Sequence, residues 1–186
     1  MSNKFRGKYR TTSHRLKNFD YATNGAYFIT IVTKNRKHYF GKIIDNEIVL
    51  NELGQIAKNE WEQTAEIREN VKIDEFVIMP NHIHGILWIN NESNRRRDVL
   101  PKRLYDGEYP KMSEISPTKN SISMAIRFFK RQTTIKSRKI FPDFKWQPNY
   151  YDHIIRNSDE LNRIRNYIIK NPKMWKRDRN NKGLWL

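Results

Sequence analysis

The sequence predicts an α+β domain, an antiparallel sheet with helices packed on one face. Three observations predict it. Runs that alternate aromatic and β-branched residues mark strands. Longer runs with apolar residues three and four apart mark helices. The two kinds follow one another as strand, helix, strand, strand, helix, strand, helix. With a small extra hairpin set aside, that order is a ferredoxin-like layout.

Taken in order, "AYFITIVTKN" (26–35) reads as the first core strand, and "HYFGKIIDNEIVLN" as a short strand pair turning at Asp45-Asn46. A helix starts at Asn51, with Leu53, Ile56, Ala57, Trp61, Ala65 and Ile67 at helical spacing. "VKIDEFVIMP" and "HIHGILWI" are strands split by the turn pair Pro80-Asn81. Residues 90–118 are polar, hold "NRRRD", Gly107 and three prolines, and read as a long loop insertion. "SISMAIRFFKRQTTIKSRK" is a second helix whose apolar face is Ile122, Ala125, Ile126 and Phe129. "FKWQPNYYDHII" is the last strand or extended segment. Ser158 then caps a third helix with Asp159 and Glu160 in its first turn, which runs to Asn171 and meets Pro172. The organisation expected is a basic arm (1–20), one domain (21–178, with the 90–118 insertion) and a basic tail (179–186).

A length of 186 residues suits one domain able to bury a core. The absence of cysteine excludes a disulfide framework and thiolate metal sites, and fits a reducing cytoplasm, the location expected. No apolar run approaches the roughly 20 residues of a membrane span, and "MSNKFRGKYR" carries no secretory hydrophobic segment. The net charge is +16 and its excess is local: residues 1–19 hold six Lys or Arg and no acid, and residues 115–142 hold seven and no acid. Runs this one-sided repel themselves unless a polyanion neutralises them, so nucleic acid is the partner expected. The candidate contacts are Arg10, Arg15 and Lys17 on the arm, Arg127, Lys130, Arg131 and Lys136 on or just past the second helix, and Arg156 before the third. As a set they predict steep salt dependence of binding.

On a strand, residues two apart share a face, so His82 and His84 project together with Ile83 opposite. Neutral imidazoles placed this way can converge on one cation; the alternative is two histidines satisfied by core hydrogen bonds. Gly85, Ile86 and Leu87 follow, unlike the His-x-His-x-Asp-His pattern of zinc hydrolases. A third ligand must be carboxylate, amide, histidine or water. In "DELNRIRNYIIKNP", Leu161, Ile164 and Ile168 form a narrow apolar stripe, and Tyr167 and Asn171 stack one turn apart on its flank. Alone, that pair also suits a border tyrosine and a capping amide. Together with a basic domain and paired strand histidines, it makes the parts of a phosphodiester-transfer site. Deprotonating a tyrosine at pH 7 costs about 4 kcal/mol. A cation that polarises the scissile phosphate and holds it in line offsets part of this. The resulting phosphotyrosine bond conserves the phosphodiester energy for rejoining.

"FVIMPNHIHGILWI" resembles the histidine-hydrophobic-histidine segment of the HUH nucleases. "HRLKNFDYATNGAYFITIVTKNR", "WQPNYYDHIIRN" and "NYIIKNP" resemble the REP-associated tyrosine transposases, relatives of the single-tyrosine transposases of small bacterial insertion sequences. The resemblance runs from about Arg15 to Trp175. It implies a ferredoxin-like fold acting on single-stranded DNA, often beside a hairpin, with Mg²⁺ or Mn²⁺. Carried over by position, Tyr167 is the nucleophile that forms a 5′-phosphotyrosine and frees a 3′-hydroxyl. His82 and His84 are metal ligands and Asn171 is the third, where some relatives place Gln or Glu. A neutral amide there leaves the site less anionic, which weakens hard-ion binding, and two imidazoles suit Mn²⁺ better than Mg²⁺. Tyr150 and Tyr151 rank below Tyr167 because they lack a polar partner one turn on; they read as strand aromatics or base-stacking platforms. His153 is a phosphate contact or a structural histidine. The reading is a metal-dependent single-stranded DNA endonuclease and strand transferase, monomer or homodimer, acting on hairpin-containing repeats. The alternatives are a non-catalytic DNA- or RNA-binding regulator on the same fold, and hydrolysis by water without an adduct.

Overall fold

The computed structural model describes residues 4–5, 8–9, 20–91 and 119–184. Arg10, Arg15 and Lys17 lie outside the described residues, as does most of the predicted 90–118 loop. Strands β1 (Lys4–Phe5) and β2 (Lys8–Tyr9) pair as a two-residue ribbon. The main sheet is built from β3 (Gly25–Val32), β6 (Val71–Ile78), β7 (His82–Ile89) and β8 (Tyr151–Ile155). Its order is β6-β7-β3-β8 and every pairing is antiparallel, as the ferredoxin-like layout requires. The helices are α1 (Glu52–Glu66), α2 (Ile122–Ser137) and α3 (Ser158–Lys170).

The central strands β3 and β7 are buried on both faces, which is why both read as nearly continuous apolar runs. On one face Tyr27, Ile29, Ile31, Ile83, Leu87 and Ile89 pack under Trp61 of α1 and Phe129 of α2. Gly85 of β7 makes that approach possible, since a Cβ there would come within 2.5 Å of the Trp61 ring. The two crossover helices thus share one face, while the expectation that the helices pack on one face does not extend to the third. The third helix follows the unit and crosses the other face, where Ile168, Ile164 and Leu161 meet Ala26, Phe28, Ile86 and Ile155.

The small hairpin forms between β4 (Gly41–Ile44) and β5 (Glu47–Leu50), with Asp45 and Asn46 at φ of 49° and 65°, the left-handed pair a two-residue turn needs. Helix α1 is capped by Asn51, whose side chain accepts from Gly54 N at 2.9 Å. Ile67, placed by spacing on its apolar face, is the C-cap and is exposed. The cap of α3 is Asn157 rather than Ser158. Asn157 keeps an extended backbone and its Oδ1 accepts from Glu160 N at 2.8 Å, so Ser158 is already helical. The last strand is shorter than its pattern. Residues 144–150 run irregularly, tied to the sheet by the Thr33–Trp146 bridge and by buried Phe144.

Helix α3 is clamped by a bidentate pair: Arg165 Nε and Nη2 donate to Asp74 Oδ1 and Oδ2 at 2.7 and 2.6 Å. The guanidinium, with help from Trp88 and the Glu75 amide, holds the Asp74 carboxyl down at about 2. A depressed carboxyl stabilises the fold above its unfolded pKa of about 4, and that contribution is lost as pH falls toward 2. Asp74→Asn is therefore expected to lower the melting temperature near neutral pH, with the gap to wild type closing on acidification. Thermal melts across that range check it. Among the described residues no helix is long and apolar enough to cross a membrane.

Candidate active site

Alternation along β7 turns His82 and His84 toward α3, and the register sets Val32 and Thr30 of β3 beside them. Both imidazoles are buried, with ring centroids 4.5 Å apart. From α3, Tyr167 reaches back over the sheet and its hydroxyl lies 3.2 Å from His84 Nε2. The phenol ring stands edge-on to Phe28 at 6.1 Å, and the residue is 44% exposed, so the side chain lies at the solvent border of the cluster. Asn171, one turn on, is buried, and its side chain acts on the phenol. The structure therefore brings together all four residues singled out as nucleophile and ligands. Burial foremost, and Asp178 next, push the Tyr167 phenol up, while Arg179 and Asn171 pull it down.

The orientation of His82 is set by a residue the sequence marked only as a turn. Asn81 Nδ2 donates to the carbonyls of Arg36 at 3.0 Å and Asn180 at 2.8 Å. This fixes which end of the amide is oxygen, and Oδ1 faces His82 Nδ1 at 2.8 Å. Nδ1 must then carry the proton, and Nε2 is a bare lone pair. Thr30 Oγ1 hydrogen-bonds His84 Nδ1 at 2.9 Å and fixes the orientation of that ring. Asn81→Ala is expected to weaken metal binding about 10- to 100-fold by freeing the tautomer and ring angle of His82. Calorimetric titration with Mn²⁺ measures it.

The second residue missed is Asp178. It is the last acid in the chain and lies in the basic run "KRDR", where charge counting hides it. After α3 the chain makes two 3₁₀ segments, Pro172–Arg177 and Arg179–Leu184, that fold back under the sheet end. Trp175 stacks on His82 at 6.0 Å, and Asp178 sits between the segments. One carboxylate oxygen accepts from Asn180 N; the other points at His82 Nε2 across 3.7 Å. Ligand atoms of His82, His84 and Asp178 all lie within 4.8 Å of one another.

This arrangement fits a divalent cation. His82 Nε2 and Asn171 Oδ1 are buried and have no hydrogen-bond partner among the described residues. Burial, with Arg179 and His38, holds His82 down at about 3, so no proton bridges its lone pair to the carboxylate at neutral pH. A buried lone pair facing an anion is costly unless a cation lies between them. The two imidazoles and the carboxylate form a mixed nitrogen and oxygen set that can hold a metal ion.

The remaining candidates divide. Tyr151 shares the sheet face, is 41% exposed and stands edge-on to Phe28 at 6.4 Å, extending an aromatic shelf beside Tyr167. Tyr150 turns to the other side, where its hydroxyl donates to Ser123 Oγ at 3.3 Å. His153 Nε2 meets Glu160 Oε1 at 2.8 Å, tying β8 to the first turn of α3; the other Glu160 oxygen accepts from the Arg156 amide. Arg127, Lys130, Arg131 and Lys136 lie on α2, across the sheet from the histidines, and are not brought to the cluster. Lys136 pairs with buried Glu60. Lys130 donates to the carbonyls of Gln147 at 2.6 Å and Pro148 at 3.2 Å, and burial takes its pKa down to about 8. Arg127 and Arg131 are exposed.

No family model matches the chain. A solved REP-associated tyrosine transposase, bound to a REP hairpin, shares the fold with a TM-score of 0.54 at 18% identity, over 88% of this chain and 73% of that one. An uncharacterised protein of Haemophilus influenzae is 40% identical over 173 residues, which is 92% of this chain and 93% of that protein. Identity at that level along nearly the whole of both chains is a family relationship, and the chain belongs to the family of this uncharacterised Haemophilus influenzae protein.

Proposed function

We propose that the chain is a metal-dependent enzyme that nicks single-stranded DNA and transfers the strand through a phosphotyrosine, with Tyr167 as nucleophile. The observation that carries this is the phenol hydroxyl 3.2 Å from His84 Nε2, beside a buried cluster of two imidazoles and a carboxylate. The Tyr167 oxygen loses its proton to solvent and attacks phosphorus. The bond from phosphorus to the 3′ oxygen breaks, that oxygen takes a proton from solvent, and a 5′-phosphotyrosine and a free 3′-hydroxyl remain. His82, His84, Asp178 and Asn171 would hold the cation, which when bound supplies charge that polarises the scissile phosphate. The carboxylate makes the centre more anionic than the imidazoles and amide alone. Phe28 stands against the tyrosine ring, Ile168 seats its helix on the sheet, and the Asp74–Arg165 clamp ties that helix to β6. The exposed phenol edge and the Tyr151 shelf suit an unpaired strand, whose bases are free to stack. The +16 charge favours any polyanion. The fold neighbour holds a REP hairpin, and hairpin-flanked single strands are the substrates to try first.

The test is incubation of end-labelled, hairpin-flanked single strands with Mn²⁺ or Mg²⁺. A protein–DNA adduct that survives denaturing electrophoresis, mapped by peptide analysis to the segment around Tyr167, is expected. Cleavage without an adduct would instead mean hydrolysis by water, and tight binding without cleavage would leave a binding protein.

A further inference from the structure

We infer that the groove between the β4–β5 hairpin and the turns after α3 seats one unpaired nucleobase of the DNA strand, next to the scissile phosphate; this rests on the DNA reading above. The groove has a volume of about 700 Å³ and is walled by Ile43, Ile44, Val49 and Leu50 on one side and Trp175 and Asn181 on the other. That size lies within the range of small-ligand pockets. Ile44 and Val49 are half exposed, 51% and 53%, so the hairpin offers apolar surface that nothing among the described residues covers.

Three features select a nucleotide as occupant. The first is position. Trp175 is shared between groove and cluster, with its ring stacked over His82 at 6.0 Å and against His38 at 5.4 Å. A strand with a phosphate at the cluster has its adjoining base within reach of the groove. The second is charge. Lys42 and Lys176 stand exposed among the lining residues, so an apolar slot carries a cationic rim, the pairing that a base and its phosphate complement. The third is an unmet acceptor. Asn181 is buried, its Nδ2 donates to the Trp175 carbonyl at 2.9 Å, and its Oδ1 has no hydrogen-bond partner among the described residues. Asn181 lines the groove, so a turn of its side chain brings that oxygen to an N–H on the Watson–Crick edge of a base. Duplex pairing would occupy that edge, so the groove takes an unpaired base.

The test is fluorescence-anisotropy titration of the metal-free full chain with hairpin-plus-tail oligonucleotides in which one abasic residue is walked along the tail. One position is expected to weaken wild-type binding about tenfold, the scale of one stacked base. Val49→Trp fills the groove from an exposed rim position. It is expected to cost the same tenfold with the intact oligonucleotide and nothing more with the abasic one. Wild-type affinity in Val49→Trp, or losses that multiply, would overturn the groove while leaving the DNA reading standing. No binding of the intact oligonucleotide would overturn both.

Discussion

Tyr167→Phe is expected to remove the protein–DNA adduct and leave cation binding intact. The substitution deletes one oxygen and keeps the ring, so the edge contact with Phe28 and the seating of α3 through Ile168 persist. What is lost on the protein side is the hydrogen bond to His84, worth about 0.5–1.5 kcal/mol. What is lost in chemistry is the nucleophile itself, and removal of a covalent nucleophile costs on the order of 10⁴-fold or more. Mn²⁺ affinity measured by calorimetry should stay the same or rise, because the hydroxyl no longer competes for His84 Nε2. Tyr150→Phe and Tyr151→Phe serve as controls and should still form the adduct. Tyr150 faces Ser123 away from the cluster, and Tyr151 lies beyond Phe28 on the shelf. An adduct undiminished in Tyr167→Phe would remove the assignment.

Much of this site is local enough to read from the chain. The two-residue period of a strand puts His82 beside His84, and the four-residue step of a helix puts Tyr167 beside Asn171. Neither period says which face α3 crosses. β7 is buried on both faces, so the stripe of Leu161, Ile164 and Ile168 could have packed on either. The crossover helices settle it by filling one face and leaving the other to the helix that follows the last strand. Charge misleads for the same reason. Lys130 and Lys136 look like part of one basic surface, yet one is drawn to the 147–148 carbonyls and the other to Glu60, 76 residues away in sequence. Asn157 and Ser158 are equally good caps by type, and only backbone geometry separates them. Asp178 was the least legible member of the cluster. Its role depends on two 3₁₀ segments after Pro172, which have no periodicity strong enough to read.

That residue supports the second large effect. Asp178→Asn is expected to lower Mn²⁺ affinity by at least about 100-fold, beyond the 10- to 100-fold typical of an outer-shell partner. The reason is charge. His82, His84 and Asn171 are neutral donors and Arg179 acts on the cluster as a cation, so Asp178 is the anion in the set. The amide is nearly isosteric and can still accept from the Asn180 amide, so the turn that places it should survive. Loss of affinity in this variant therefore reports charge and not collapse of the segment. Mg²⁺ should suffer more than Mn²⁺. Magnesium depends on hard anionic oxygen, whereas manganese draws part of its binding from the imidazoles that remain. Adduct formation should fall with cation occupancy and recover in part at high Mn²⁺, a rescue that Tyr167→Phe cannot show. If Asp178→Asn binds Mn²⁺ as wild type does, the carboxylate is not a ligand. The centre would then consist of two imidazoles and an amide, the set that the resemblance to the tyrosine transposases implies.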